Sequence, residues 1–233
     1  MHGIKGFIFD YDGTLADSMR VWDEVDREYV AAHHIKTDLD IGQAVRNFSF
    51  RECADFFKKE FHLPDSPETI MQEWNEMARK KYAQSIPLKA GVKEYLSACR
   101  NAGYPMAILT SNHPENVRAN VRLHGMEDWF CHLITADEVG YNKTQPELFT
   151  RAANALGLHP HECIVFDDIL AAVTAAKKAG LFTVGVHDAR TTQEDIRKIK
   201  AVADRYITSF CDLLEGNHDK LTHSPLHTEG GSQ

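Results

Sequence analysis

Two aspartates stand one residue apart directly behind an apolar segment near the start of the chain. The stretch GFIFDYDGTLADS, residues 6–18, ends its apolar part at Phe9 and continues through Asp10 and Asp12. Carboxylates held this close repel each other, and each raises the pKa of the other. Their position therefore indicates a positively charged partner, and a hard divalent metal ion is one that accepts oxygen ligands.

Polar side chains also follow the later apolar segments of the chain. They are Thr110, Ser111 and Asn112 after MAIL, Lys143 in GYNKTQPELF, and Asp167 and Asp168 after CIVF. In an open parallel sheet, ligand-binding groups gather beyond the carboxyl ends of the strands. We therefore expect all of these side chains to converge with Asp10 and Asp12 at one edge of a sheet.

Four carboxylates and a lysine at one edge predict a magnesium-assisted phosphate site. Mg²⁺ keeps several waters and is held by one or two carboxylates together with a substrate phosphate. Lys143 adds a further positive charge. The predicted cofactor is Mg²⁺, and the predicted ligand is a dianionic phosphoryl group.

The sheet that must position these residues is predicted from six short apolar runs. They are Ile4–Phe9, Pro105–Leu109, His132–Ile134, Cys163–Phe166, Phe182–Val186 and Arg205–Ile207. Amphipathic segments of helical length lie between them from residue 88 to residue 207. Such alternation predicts a doubly wound α/β fold with a Rossmann-like parallel sheet.

Residues 17–87 interrupt the alternation of strands and helices. Three segments there, MRVWDEVDREYVAAHH, FRECADFFKKEFH and ETIMQEWNEMARKKYAQS, show helical spacing of apolar residues, and none resembles a strand. We predict a small all-helical cap inserted after the first strand, with residues 1–16 and 88–215 forming the catalytic core. The polar segment 216–233 is predicted to be a disordered tail.

Composition narrows the classes of function. The 233 residues carry a net charge of −8, which disfavours a nucleic-acid partner. Five cysteines, an odd number without a CxxC pair, indicate reduced thiols. No apolar run approaches the roughly 20 residues of a membrane span. We expect a cytoplasmic protein without a membrane partner, either a monomer or a weak homodimer.

The order of the four segments DYDGTL, LTSN, NKTQPELF and VFDD resembles the haloacid dehalogenase-like hydrolase superfamily. The resemblance spans about residues 4–207. It is strongest to the branch with a helical cap between the first two segments, which includes phosphatases and relatives of beta-phosphoglucomutase. DxDGT is its most specific part, since a lone Thr-Ser or Asp-Asp is common.

The resemblance implies roles for the residues that carry the chemistry. Asp10 would attack phosphorus and become an aspartyl phosphate, which divides one difficult step into two. Asp12 would protonate the leaving alcohol and then activate water, and its backbone carbonyl would bind Mg²⁺. Lys143 would neutralise the charge that Asp10 and the phosphate share.

The remaining site residues would bind phosphate and metal. By the same resemblance, Thr110 would hold a phosphoryl oxygen, helped by the backbone N–H groups of Ser111 and Asn112. Asp168 would ligate Mg²⁺, with Asp167 as a second ligand or as a hydrogen-bonding partner of one. Many relatives have serine or threonine at position 169, where this chain has isoleucine.

Asp12 also separates branches of the superfamily. Dehalogenases resemble one another in D-x-Y and phosphonatases in D-x-A, so both lack this carboxylate. Sugar phosphomutases share D-x-D, but they place a histidine on the first cap helix where this chain has Trp22. We predict a phosphomonoesterase, with a sugar phosphomutase and a regulatory binding protein on the same fold as alternatives.

The cap is expected to select the leaving group of a small phosphorylated metabolite. Trp22, Arg46, Asn47 and Phe48 lie where caps of this kind often contact substrate. Sugar phosphates, polyol phosphates and nucleoside monophosphates are the candidate classes, and the sequence does not choose among them.

Overall fold

The fold was analysed in a computed structural model that describes residues 3–45 and 48–214. Six parallel strands form one sheet in the order β3-β2-β1-β4-β5-β6. The strands are β1 Gly6–Phe9, β2 Met106–Thr110, β3 His132–Thr135, β4 Cys163–Asp167, β5 Phe182–Val186 and β6 Arg205–Ile207. The predicted doubly wound α/β fold is confirmed, and each predicted strand lies within two residues of an observed one.

The register of the central strands sets the position of the site. Phe9, the last residue of β1, pairs with Ile108 on one side and with Phe166 on the other. The chain therefore leaves β1, β2 and β4 at nearly the same level. For this reason Asp10, Thr110 and Asp167 meet at one edge of the sheet.

Helices cover both faces of the sheet. The longer ones in this part of the chain are α5 Val92–Asn101, α6 Pro114–Leu123, α8 Pro146–Ala155, α9 Leu170–Lys178 and α10 Gln193–Val202. Short helical segments are α7 Ala136–Val139, a 3₁₀ turn at Pro160–Glu162 and α11 Cys211–Leu214. Alternate residues of β1 enter opposite cores, with Phe7 and Phe9 on one side and Ile8 on the other. A strand buried on both faces must be apolar throughout, as β1 is.

In the described part of the chain, four helices lie between β1 and α5. They are α1 Met19–Ala32, α2 Ile41–Ala44, α3 Phe50–Glu60 and α4 Pro67–Tyr82, and the described residues between β1 and α5 contain no strand. Their own core includes the aromatic rings of Tyr29, Phe57 and Trp74. Ser49 caps α3 and Ser66 caps α4 through hydrogen bonds from backbone N–H groups of their first turns.

The two connections between these helices and the sheet run beside each other. Asp17 N donates to Pro87 O at 2.9 Å, and Lys89 N donates to Leu15 O at 2.9 Å. The division into a core of residues 1–16 and 88–215 and a cap of residues 17–87 stays a prediction. The predicted tail at 216–233 lies outside the described residues. None of the helices in the described ranges has the length and apolar character needed to cross a membrane.

The core beneath the site can be tested at Phe166. Its ring stacks on Phe9 with a centroid distance of 4.9 Å and on Phe210 at 5.4 Å, and it is fully buried. We expect Phe166→Ala to lower the free energy of unfolding by about 3–5 kcal/mol, measured by urea denaturation, because a cavity replaces the ring. Leu123→Ala, at a residue 44% exposed, is the control and should change stability by less than about 0.5 kcal/mol. Equal effects of the two substitutions would contradict this description of the core.

Candidate active site

Lys143 lies between two buried carboxylates at the carboxyl edge of the sheet. Its Nζ forms an ion pair with Asp10 Oδ1 and another with Asp167 Oδ2, the latter at 2.8 Å. All three side chains are buried. Burial lowers the pKa of Lys143, but the charges of Asp10 and Asp167 outweigh burial and raise it, so the lysine is a cation.

Asp168 adds a third carboxylate to this cluster. Ligand oxygens of Asp10, Asp167 and Asp168 lie within 4.8 Å of one another. Thr14 Oγ1 stands between two of them, 3.3 Å from Asp10 Oδ2 and 3.2 Å from Asp168 Oδ1. Burial, followed by the charges of Asp10, Asp167 and Asp188, raises the pKa of Asp168 well above its ordinary value. Burial likewise raises the pKa of Asp167 to about 6.

The carboxylate cluster fits a magnesium ion. Lys143 contacts Asp10 and Asp167, whereas among the described residues Asp168 accepts a hydrogen bond only from the neutral hydroxyl of Thr14. One lysine thus balances three buried carboxylates, and a second positive charge is needed for all three to ionise. Carboxylate oxygens are the hard ligands that Mg²⁺ prefers.

Gly13 allows the loop after β1 to pass close to Asp168. Its φ is +80°, and a Cβ at this position would lie 2.7 Å from Asp168 Oδ2. Lys89 donates to Gly13 O and also contacts Asp188 Oδ2 at 3.0 Å, which ties the loop to the end of β5. The sequence analysis did not identify Lys89 or Asp188, because nothing in the spacing links position 89 to position 188.

Asp12 is held apart from the carboxylate cluster by three hydrogen-bond donors. Its Oδ1 accepts from Ser18 Oγ at 2.5 Å and from the Tyr82 hydroxyl, and its Oδ2 accepts from Asn112 Nδ2 at 2.8 Å. Burial raises the pKa of Asp12, while these hydrogen bonds oppose the shift. A carboxyl with a raised pKa can carry a proton to a reacting group more readily than an ordinary aspartate. That its backbone carbonyl binds the metal stays a prediction.

Thr110, Ser111 and Asn112 follow one another at the end of β2, as expected. Thr110 is buried and its Oγ1 accepts from Asn112 N at 3.0 Å, whereas Ser111 is exposed. The Asn112 amide oxygen accepts from His113 N at 2.7 Å and from Asn116 Nδ2 at 3.0 Å. The Asn112 side chain therefore has a defined orientation toward Asp12, a role that its position in the sequence did not indicate.

A cavity of about 1000 Å³ opens over this edge of the sheet. Asp10, Asp12 and Lys143 line its floor, and side chains of α1 and α3 line the opposite wall. Phe48 and Ile169 are exposed and border the same space. Trp22 and Phe48, two of the expected cap contacts, do line the cavity, while Arg46 and Asn47 lie outside the described residues.

Comparison with known proteins identifies the family. The haloacid dehalogenase-like hydrolase family matches residues 4–180, and the chain belongs to this family. Hexitol phosphatase A of Escherichia coli (strain K12) is 29% identical over 190 residues, covering 78% of this chain and 83% of its own.

Two solved structures share the fold. That of CbbY from Rhodobacter sphaeroides in complex with phosphate aligns with a TM-score of 0.81 and 25% identity, over 90% of this chain and 96% of that one. The beta-phosphoglucomutase of Clostridium difficile aligns with a TM-score of 0.72 and 22% identity, over 90% and 93% of the two chains. The CbbY structure contains bound phosphate, whereas the likeness to the beta-phosphoglucomutase shows the fold alone.

Replacing Asp168 by asparagine should stabilise the metal-free protein. The raised pKa of Asp168 means that its ionisation at neutral pH costs folding free energy. In excess chelator, we expect Asp168→Asn to raise the free energy of unfolding by about 1–2 kcal/mol at neutral pH. The difference should shrink as the pH falls, because the wild-type carboxyl then becomes protonated. Urea denaturation measures both effects.

Two further results decide this prediction. Added Mg²⁺ should stabilise the wild type more than the Asp168→Asn variant, since a ligand that binds only the native state raises its stability. Asp128→Asn, at an exposed position, is the control for removal of one charge and should leave stability unchanged. If Asp168→Asn is less stable than the wild type in chelator, the carboxylate cluster does not carry the excess negative charge that we describe.

Proposed function

We propose that this protein is a Mg²⁺-dependent phosphomonoesterase that acts on a small phosphorylated metabolite through an aspartyl phosphate. The observation that carries the proposal is the contrast between two aspartates one residue apart. Asp10 is buried against Lys143 in the carboxylate cluster, whereas Asp12 is held separately by neutral donors. The two environments suit a nucleophile and a proton donor.

In the first step, an oxygen of Asp10 attacks the phosphorus of the substrate. The new bond joins this oxygen to phosphorus, and the bond from phosphorus to the ester oxygen breaks. Asp12 in its protonated form gives its proton to the departing oxygen, so that a neutral alcohol leaves. Lys143, already in contact with Asp10, compensates the negative charge of the transferring group.

In the second step, water attacks the phosphorus of the aspartyl phosphate. Asp12, now ionised, takes one proton from this water, and the Asp10 carboxylate leaves as inorganic phosphate forms. Thr110 supports the proposal because its hydroxyl hydrogen is free to point to a phosphoryl oxygen while Oγ1 accepts from Asn112 N. At the end of the second step, Asp10 is again ionised and Asp12 is again protonated.

Asp10, Asp167 and Asp168 are the side chains that would hold Mg²⁺, with the backbone carbonyl of Asp12. When bound, Mg²⁺ supplies positive charge that stabilises the phosphoryl oxygens. The likeness to hexitol phosphatase A supports a small phosphorylated metabolite as the substrate. The predicted cap of residues 17–87 would close the cavity over such a substrate and exclude water.

A sugar phosphomutase and a regulatory binding protein are the alternatives from the sequence. Trp22 lines the cavity at the position where mutases of this type place histidine, which favours hydrolysis over phosphate return. The buried contacts among Asp10, Asp167 and Lys143 count against a binding protein. Burying charges together often costs stability, and catalysis of phosphoryl transfer is a reason for a protein to keep them.

The nucleophile and the metal can be tested together. We expect Asp10→Asn to lower kcat at least about 10³-fold on any accepted phosphate ester, because an amide cannot form the aspartyl phosphate. Excess chelator should abolish wild-type turnover, and Mg²⁺ should restore it. Phosphate release and circular dichroism give the rates and verify folding.

Asp17→Asn is the matched control for the nucleophile. Asp17 lies in the same loop but is exposed, and its replacement should leave kcat within about 2-fold, because no reacting group depends on it. Turnover by Asp10→Asn at the wild-type rate would exclude the proposed nucleophile. Full activity in chelator would exclude the metal.

Tyr82 is expected to position the proton donor. Tyr82→Phe removes the hydroxyl that donates to Asp12 Oδ1. We expect kcat to fall about 10-fold for alkyl phosphates, which need a proton on the leaving oxygen, with KM nearly unchanged. For p-nitrophenyl phosphate, whose leaving group needs no proton, kcat/KM should fall less than about 2-fold, because this ratio does not include the later attack of water that Asp12 also assists.

Tyr104→Phe removes a hydroxyl elsewhere in the core region and controls for general loosening of the protein. Tyr104→Phe should change the kinetic constants neither for alkyl phosphates nor for p-nitrophenyl phosphate. An equal loss of kcat/KM by Tyr82→Phe on alkyl and p-nitrophenyl esters would show that Tyr82 supports the fold and does not position Asp12.

A further inference from the structure

Two helical stripes form the wall of the cavity that faces the carboxylate cluster. Met19, Trp22 and Asp26 recur at helical spacing on α1, and Phe50, Cys53 and Phe57 do so on α3. The rings of Trp22 and Phe50 join the stripes edge to face, with centroids 5.8 Å apart. Five of the six side chains are apolar or weakly polar, and Asp26 is the charged one.

Among the residues that the structure describes, Asp26 has no counter-ion of its own. Within the described ranges, 3–45 and 48–214, its carboxylate takes part in no hydrogen bond and no ion pair. It is partly buried and borders the cavity. Burial, together with the charge of Asp23, raises the pKa of Asp26 to about 6. At neutral pH most molecules therefore carry an ionised carboxylate in an aromatic wall.

Three described cations border the same cavity, and none of them pairs with Asp26. Arg190 exerts an electrostatic effect on it, but the guanidinium pairs with Asp23 Oδ1 at 3.0 Å and donates to Met19 O at 3.0 Å. Lys143 belongs to the carboxylate cluster. Lys178 also lines the cavity, but on the core side and at an exposed position.

An ionised carboxylate among aromatic faces is a site for a cation. Aromatic faces attract ammonium groups through the ring quadrupole, most strongly where water is excluded. They offer no acceptor to the several hydroxyls of a sugar chain, and each buried hydroxyl left unpaired weakens binding. The volume of about 1000 Å³ has room for a leaving group as well as a phosphate.

We propose that the stripes on α1 and α3 form a leaving-group subsite for an ammonium-bearing alcohol, with Asp26 as the residue that selects the positive charge. The inference rests on the proposed phosphatase function and specifies its substrate class. The phosphate end of the substrate would lie at Asp10 and Lys143. The ammonium end would lie between Trp22, Phe50 and the Asp26 carboxylate.

Matched pairs of phosphate esters test this subsite. Phosphocholine is compared with 3,3-dimethylbutyl phosphate, which has the same shape without the charge, and glucosamine 6-phosphate with glucose 6-phosphate. We expect kcat/KM to be about 10-fold or more higher for the cationic member of at least one pair, through a lower KM. Phosphate release at neutral pH with Mg²⁺ is the measurement.

Two variants on α1 separate charge selection from general effects. Asp26→Asn keeps the shape of the side chain and should abolish the preference by lowering kcat/KM of the cationic ester. Glu28→Gln removes one negative charge from the same helix at an exposed position, where Glu28 pairs with Lys81. This control should keep the preference.

The outcomes distinguish the inference from the function on which it rests. Equal kcat/KM of the wild type for the neutral and the cationic member of both pairs overturns the subsite. An Asp26→Asn variant that keeps the preference for the cationic ester overturns it too. Hydrolysis of p-nitrophenyl phosphate without hydrolysis of either cationic ester also overturns the subsite but leaves the phosphatase in place. Absence of phosphate release from every ester overturns the phosphatase itself.

Discussion

The buried contact of Lys143 with Asp10 and Asp167 is the interaction on which the site depends. Charges removed from water are stable only when they are paired and hydrogen bonded. Lys143 comes from the loop before α8, whereas Asp10 follows β1 and Asp167 ends β4, two strands that are neighbours in the sheet. The parallel sheet is thus the scaffold that brings three distant parts of the chain to one point. Burial of its apolar strands offsets the free-energy cost of burying these charges together.

The loop after β1 places two equal side chains in unequal surroundings. Gly13 turns the chain with positive φ and lets it approach Asp168, and Thr14 bridges Asp10 and Asp168. Asp12 projects instead toward the helices that follow β1, where Ser18 and Tyr82 donate to it. Because Tyr82 ends α4, the orientation of Asp12 depends on how these helices sit over the sheet. Closure over a substrate and placement of the proton donor would be one event.

Much of the fold and the charged part of the site could be predicted from the sequence. A strand of a parallel sheet is buried on both faces, so runs such as CIVF are visible as uninterrupted apolar segments. The residues just after such runs must lie at the same edge, which locates Asp167 and Asp168 without any three-dimensional information. The family resemblance then assigned them roles that spacing alone leaves open.

The contacts around Asp12 could not be predicted in this way. Tyr82 lies 70 positions from Asp12 in sequence, and its contact arises only when α4 packs over the sheet. The Asn112 side chain was overlooked for a related reason, since its orientation is fixed by Asn116 on α6. Asp26 is part of a visible helical stripe, but that no described residue pairs with it is a property of the packed helices.

The most direct test of the account is to trap the phosphorylated enzyme. Acid quenching during turnover of an accepted ester, followed by proteolysis and mass spectrometry, should show one phosphoryl group on the peptide that contains Asp10. The Asp10→Asn protein should show none. A burst of alcohol release with an unmodified Asp10 peptide, or a phosphoryl group on another residue, would contradict the assignment of Asp10 as the nucleophile.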